Sequence, residues 1–476
     1  MTTTQRVPLA DAASLQSAIA GAVSIANGSV EILDADRIRD TVIDDLVYTG
    51  VFGEGAVRDA ARWLVRVIAP KLGAFPASIH ELYLAGGRGE YTHATAPAIN
   101  VRALAYDNVQ AILRAARAND NKIVLFEIAR SEMSYTWQRP GEYATSVLAG
   151  AIKAGWQGPV FIQGDHFQAI SKAYNADPDK EIGIVRDLTR EAIAAGFYNI
   201  DVDASTLVDI DEPDLVKQQE KNYRHTAELT ALIRSIEPEG VTVSVGGEIG
   251  EVGKNNSTVA DLTAFMTGYI PAMEAESKKA GRSLPGISKI SVQTGTSHGG
   301  IVLPDGTIKQ VAVDFETLAE LSKAAREQFG LGGAVQHGAS TLPEAAFGRF
   351  AEANAIEVHL ATAFQSVLLD SEHFPPELLD RMYAYLADKR AEERKEGETD
   401  AQFYYKTRKR VFGPFKQELW NLPVETRASL MTELESAYSM IMQHLGVSNS
   451  AAIVDRIVKP VDIDVPMPEG VSSILG

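Results

Sequence analysis

The 476-residue chain contains no cysteine. That absence excludes disulfides, thiolate zinc sites, iron–sulfur clusters and any cysteine nucleophile, so a bound metal would need histidine, aspartate or glutamate ligands. No apolar run reaches the length needed to cross a bilayer. The N-terminus, Met1-Thr2-Thr3-Thr4-Gln5-Arg6, also lacks the basic segment and apolar stretch of a secretory signal. Positive charge is in deficit: 45 Lys and Arg face 63 Asp and Glu, a formal net charge of −18, which argues against contacts with a nucleic-acid backbone. The expectation is a cytoplasmic protein that uses neither membrane nor nucleic acid.

Hydrophobic residues at 45% and charged residues at 23% are the proportions of a soluble globular chain. Apolar segments, mostly β-branched, recur at Ala98 to Val101, Ile123 to Ile128, Val160 to Ile162, Tyr198 to Val202, Val241 to Val245, Ile287 to Val292, Gly333 to Gln336 and Ile356 to Leu360. Helical patterns separate them: Asn108 to Arg117, Gly141 to Ala154, Glu181 to Ala195, Asp214 to Ser235, Val259 to Lys279, Asp314 to Phe329 and Pro343 to Ala353, with an eighth near Pro375 to Lys389. This alternation is that of an α/β fold, a (β/α)8 TIM barrel, although a doubly wound open sheet would alternate in the same way. Polar residues at the ends of strands 3 to 8 favour the barrel, because an open sheet concentrates them at one switch point. Residues 1–95 read as a helical N-terminal extension, including Ala12 to Ile25 and Ala56 to Ile68. Residues 96–370 form the barrel, and 371–476 a helical C-terminal extension with an irregular tail.

Three strands deliver a histidine to a short polar or glycine loop. They read Gln163-Gly164-Asp165-His166, Gln293-Thr294-Gly295-Thr296-Ser297-His298-Gly299 and Gln336-His337-Gly338-Ala339-Ser340. Barrel enzymes keep their chemistry at the C-terminal ends of strands, and three imidazoles arriving there supply the ligands of a catalytic zinc with one coordination position open. Of the other six histidines, only His359 lies within a strand. Carboxylates join the ring: Asp201 and Asp203 alternate onto one side of strand 4, and Glu248 and Glu251 end strand 5.

The segments Gly164-Asp165-His166, Asp201-Val202-Asp203-Ala204-Ser205, Glu248-Ile249-Gly250, Gly295-Thr296-Ser297-His298-Gly299 and His337-Gly338-Ala339-Ser340 together resemble, in order and spacing, the motif set of the class II, zinc-dependent fructose-bisphosphate aldolases. Ile99-Asn100-Val101 and Gln110-Ala111-Ile112-Leu113 resemble that family's first strand and helix. The resemblance implies one catalytic zinc on His166, His298 and His337, with Asp203 and Glu248 holding a second, buried position for the ion. It also implies Asp165 as the acid/base. Gly338, Ser340 and Thr362 offer donors to a phosphate, and Asn100, Gly299 and His359 complete the expected substrate contacts. There are departures. Gln163 stands where the family carries histidine, Asn255 and Asn256 stand for a pair of acids, and His359-Leu360-Ala361-Thr362 replaces Asn-x-Asp-Thr. Glu251 is the available substitute base.

The expected activity is therefore a zinc-dependent aldolase of carbohydrate metabolism, glycolysis included, acting on a sugar or sugar phosphate as a homo-oligomer. A zinc-dependent sugar phosphate or uronate epimerase and a non-catalytic aldolase-like subunit are the alternatives. One stretch outside the motifs bears on the substrate. Tyr404-Tyr405-Lys406-Thr407-Arg408-Lys409-Arg410 is a basic run in an acidic chain, either a solvated face or an arm in which Arg408 meets an anionic substrate.

Overall fold

The computed structural model describes residues 6–26, 28–250, 255–295, 301–304, 308–309 and 313–475. Eight strands, all parallel, run β1 (Ala96–Asn100), β2 (Leu125–Ala129), β3 (Gly158–Gln168), β4 (Asn199–Asp203), β5 (Ser244–Gly250), β6 (Lys289–Val292), β7 (Ala334–Gln336) and β8 (Glu357–Leu360). Each pairs with the next, and β8 pairs with β1 from Glu357↔Ala96 to Leu360↔Ile99. That last pairing closes a (β/α)8 barrel and excludes the open sheet. The strands read as near-continuous apolar runs because helices cover them outside and side chains fill them inside.

The helices of the outer ring have definite start and stop chemistry. Asp177 accepts the N–H of Lys180 at the start of Pro178–Ala195, and Thr258 and Asp261 form a reciprocal cap at Val259–Ala280. Gly196, Gly281 and Gly330, all at positive φ, end Pro178–Ala195, Val259–Ala280 and Phe315–Phe329.

The eighth place of the ring departs from the periodicity. The helix after β8 is Thr362–Leu369, and Pro376–Lys389 packs instead on the turn Arg408–Val411. The groove beside Ala105–Ala118 is filled by Val424–His444, from near the mouth, where Arg427 meets Asp107 at 2.6 Å, to the base, where the Thr95 N–H reaches Leu445 O. Phe364 packs on Tyr438 with ring centroids 4.4 Å apart, and Tyr438 Oη donates to Asn108 Oδ1 at 2.6 Å.

The N-terminal region is not wholly helical. The helix expected over Ala12 to Ile25 stops at Ile19, because Gly21 takes a left-handed φ of 75° and β-branched Val23 and Ile25 enter a hairpin, Val23–Ala26 with Ser29–Ile32. Ala74–Pro76 adds a parallel strand to the start of β3. Beyond it, the Ile79 N–H donates to Asn199 Oδ1 and Asn199 Nδ2 donates to Ala77 O, which closes the base of the barrel. One main hydrophobic core runs through barrel and extensions alike, beside a small second cluster of Ala169, Ile182, Ala204 and Leu207.

Candidate active site

In a regular strand Asp165 and His166 would point to opposite faces. The pairing of β3 with β4 slips at this point: Gly164 sits opposite Ile200, and Phe167 opposite Val202. Two residues of β3 thus face one of β4, and His166 takes a φ of 41°. A bulge of this kind re-aims side chains at the rim of a barrel. It leaves both residues on the mouth: His166 Nδ1 lies 2.9 Å from Asp203 Oδ2 and 3.2 Å from Glu248 Oε2, while Asp165 Oδ2 accepts from Asn100 Nδ2 at 3.0 Å. Glycine is required at 164, because a Cβ there would run into the Phe167 ring.

Among the described residues three groups of donor atoms could hold a metal, one of which, Glu127, Asp201, Glu357 and His359, lies inside the barrel around the Lys289 ammonium, and the other two lie at the mouth. One atom each from Asp165, His166 and His337 lie within 4.8 Å of one another, as do those of His166, Asp203 and Glu248. Imidazole nitrogen and carboxylate oxygen are the donors zinc accepts without thiolates, so the residues fit the ion. His337 Nε2 lies 3.0 Å from Ser291 Oγ, a contact that leaves Nδ1 toward Asp165 and fixes the ring. Asp203 is held by the N–H and hydroxyl of Ser205 at 3.0 and 2.7 Å and by Gln168 at 2.5 Å. His298, Gly299 and Glu251 lie outside the described residues.

The electrostatics separate the carboxylates. Burial opposes ionisation of Asp165, yet the imidazoles of His166, His359 and His337 hold it well below the ordinary carboxylate range. Glu248 is pushed up to about 7 by burial and by the charge of Asp203, against His166. Below them the barrel interior holds a charged layer. The Lys289 ammonium lies 2.9 Å from Asp201 Oδ1, 2.6 Å from Glu357 Oε1 and 2.9 Å from Gln163 Oε1. Gln163 Nε2 donates to Glu127 and to Glu357, both at 2.9 Å, and Tyr83 Oη donates to Glu357 from below. His359 connects this layer to the mouth, 2.5 Å from Glu357 Oε1, 3.1 Å from Glu127 Oε2 and 3.2 Å from Asp165 Oδ1.

The fructose-bisphosphate aldolase class-II family model matches residues 88–413, which spans every strand of the barrel and the bulge that carries Asp165 and His166. The chain belongs to the class II fructose-bisphosphate aldolase family. No protein of curated function matches it by sequence. Among solved structures, the fructuronate-tagaturonate epimerase UxaE of Cohnella laeviribosi is similar at 13% identity and a TM-score of 0.55, over 91% of this chain and 90% of that one. A probable tagatose 6 phosphate kinase of Sinorhizobium meliloti 1021 is similar at 17% and 0.50, over 76% and 93%. A fructose-bisphosphate aldolase of Campylobacter jejuni is similar at 17% and 0.44, over 79% and 97%. At these identities the likeness to the first two is one of fold alone.

In this aldolase-family chain the remaining expected residues fall into two groups. Asn100, His359, Asp203 and Glu248 join Asp165, His166 and His337 in one connected cluster. Gly338 follows His337 at a φ of 68°, and Ser340 Oγ accepts the Ala363 N–H at 3.3 Å beside Thr362, so these three line the β7–β8 side of the mouth. Arg408 is buried, 2.6 Å from both Asp370 Oδ1 and Ser366 Oγ. The glycine-rich Gly86-Gly87-Arg88-Gly89 is a packing element, since a Cβ on Gly87 would meet the Leu331 carbonyl.

The sequence reading passed over Glu127, Lys289, Glu357, Tyr83, Glu132 and Arg102. A signal exists for the first three. Each is a lone charge in an otherwise uncharged buried strand, as in Phe126-Glu127-Ile128, and a strand buried on both faces tolerates that only where partners are provided.

Proposed function

We propose that the chain is a zinc-dependent aldolase that cleaves or forms a carbon–carbon bond in a ketose. The observation that carries this reading is the bulge of β3, which turns an ionised carboxylate, Asp165, and a metal-competent imidazole, His166, toward the same opening, with His337 across from them. His166, His298 and His337 would hold the ion, and Asp203 with Glu248 would give it a second place. When bound, zinc supplies a Lewis acid that polarises the ketone and stabilises the enediolate.

The rest is done by side chains. Asp165 takes the proton of the hydroxyl at the bond that breaks and returns it when the bond forms. Asn100 orients Oδ2 for that exchange. Glu251 is the group we assign to the proton on the ketose carbon. Gly299, Gly338, Ser340, Thr362 and His359 would line the substrate.

A second reading, epimerisation through the same cleavage, is favoured by one observation: residues 399–413 of the same chain run along the rim of the mouth from the loop after β6 to the segment after β2, where they would help retain both fragments for recombination. The test is incubation of the zinc-loaded chain with phosphorylated ketoses, free ketoses and keto-uronates, followed by mass and NMR. Two shorter fragments support the aldolase, isomers of unchanged mass support the epimerase, and no turnover contradicts both.

A further inference from the structure

The C-terminal segment 399–413 is tied to the rim of the mouth at three points. Thr399 Oγ1 donates to Pro304 O at 3.2 Å and Gln402 Nε2 to Val302 O at 2.9 Å, in the loop after β6. Arg408 is anchored on Ser366 and Asp370, after β8, and the Gly413 N–H reaches Tyr135 O at 3.0 Å, after β2. Because Arg408 is spent on these anchors, the two cations that follow it are presented elsewhere. Lys409 Nζ lies 5.8 Å and Arg410 Cζ 5.4 Å from the centroid of the Tyr135 ring, and Arg102, just beyond β1, is close enough to act on Lys409 electrostatically.

Three cations meet here with acids for two. Glu132 is taken by Arg102 at 2.6 Å, and Glu393 by Arg410 at 3.3 Å. Among the described residues Lys409 has no acid within 4.0 Å. Burial, with Arg102 and Arg410 alongside, pushes its ammonium down from the ordinary lysine range. A half-buried cation beside two others, in a chain of net charge −18, is completed by an anion. The place is connected to the proton-transfer group. Asn100 Nδ2 donates both to Asp165 Oδ2 at 3.0 Å and to Glu132 Oε2 at 2.9 Å, and the other oxygen of Glu132 holds Arg102.

We propose that Arg102, Lys409 and Arg410 form a subsite, closed by the chain's own C-terminal segment, that holds the anionic end of an open-chain sugar whose reacting carbons lie at Asp165. The proposal rests on the sugar-directed reading above and narrows it to substrates that end in a carboxylate or phosphate. Both ligands offer several oxygens to a guanidinium fork and to an ammonium point charge. Lys409 is the residue that the ligand neutralises, and Tyr135 forms an aromatic wall behind it.

The experiment is calorimetric titration of the full-length protein, zinc-loaded and zinc-stripped, with gluconate, sorbitol 6-phosphate and uncharged sorbitol, so that no turnover is needed. At least one of the two anions should bind more tightly than sorbitol, and which one does identifies carboxylate or phosphate as the recognised group. Lys409→Gln should weaken that anion about tenfold or more and leave sorbitol unchanged, and Lys409→Arg should restore most of the loss. Melting temperature and zinc content serve as folding controls. Equal binding of anions and sorbitol by the native protein overturns the subsite, as does an unaltered anion affinity in a folded Lys409→Gln. Anion binding through Lys409 without turnover of any ketose would leave the subsite standing and remove the proposed function instead.

Discussion

His80 shows what a single buried side chain does to the protein's response to acid. It begins the helix His80–Gly87 almost fully buried, and burial with the nearby Arg234 guanidinium lowers its imidazole to about 4, against 6.5 when unfolded. The folded pKa is the lower one, so the unfolded state binds more protons in between. Stability contributed by neutral His80 is therefore present above 6.5 and lost as pH falls toward 4. Unfolding free energy from denaturant titration should fall on going from pH 7.5 to 4.5, with His80 accounting for about 2.5 kcal/mol of the loss. His80→Gln should flatten the profile by that amount, and an unchanged slope would assign the acid sensitivity elsewhere. At this scale legibility was uneven. Asp165, His166, Asp203, Glu248 and His337 stand in strand-end motifs, whereas Lys289 and Glu357 carry only the weaker sign of a lone charge in a buried strand. The spacing of a lone charge within a strand does not say that Tyr83, Gln163 and Asp201 will be waiting for it.

The element that makes the site is β3, and its bulge depends on Gly164 and Phe167 packing into each other's space. A methyl group at 164 forces the Phe167 ring or the strand to move, the kind of overpacking that costs about 1–3 kcal/mol. Gly164→Ala should therefore lower stability by that amount and, because Asp165 and His166 follow directly, weaken zinc binding as well. Thermal melting and equilibrium dialysis against zinc would measure both, and intact zinc affinity would show that the bulge does not set the ligand geometry. Six of the strands were legible to within two residues because a doubly buried parallel strand is an apolar run between turn signals, whereas β3 and β5 run on past their expected ends at Ile162 and Val245 to Gln168 and Gly250. The bulge itself was not. Gly164-Asp165-His166 carries no sign that two residues will face one of the neighbouring strand.

Across the whole molecule the barrel is completed by chain from far downstream. The family match ends at residue 413, yet the groove beside Ala105–Ala118 is filled by Val424–His444, which buries Leu430, Leu434, Tyr438 and Ile441. A chain ending after residue 413 should expose that apolar groove and lose cooperative unfolding, recovered as aggregate or with an early, broad thermal transition. A soluble truncated chain with the native melting temperature would show that the helix is dispensable. Periodicity named the barrel but assigned its eighth helix to Pro375 to Lys389, since sequence order gives no notice that a later helix will take that place. Among the described residues no helix is long and apolar enough to cross a membrane.

The central claim, that this barrel mouth holds a catalytic metal beside a separate proton-transfer carboxylate, is tested most directly by metal analysis of chelator-stripped and zinc-reloaded protein, in native, His337→Ala and Asp165→Asn forms. The native chain should take up one tightly held zinc, and its ketose turnover should vanish and return with the metal. His337→Ala should lose that zinc. Asp165→Asn should keep it while turnover falls by about 10²- to 10⁴-fold, the usual contribution of a positioned acid/base. Turnover that persists in stripped native protein, or an Asp165→Asn chain that loses zinc as readily as His337→Ala, would contradict the account.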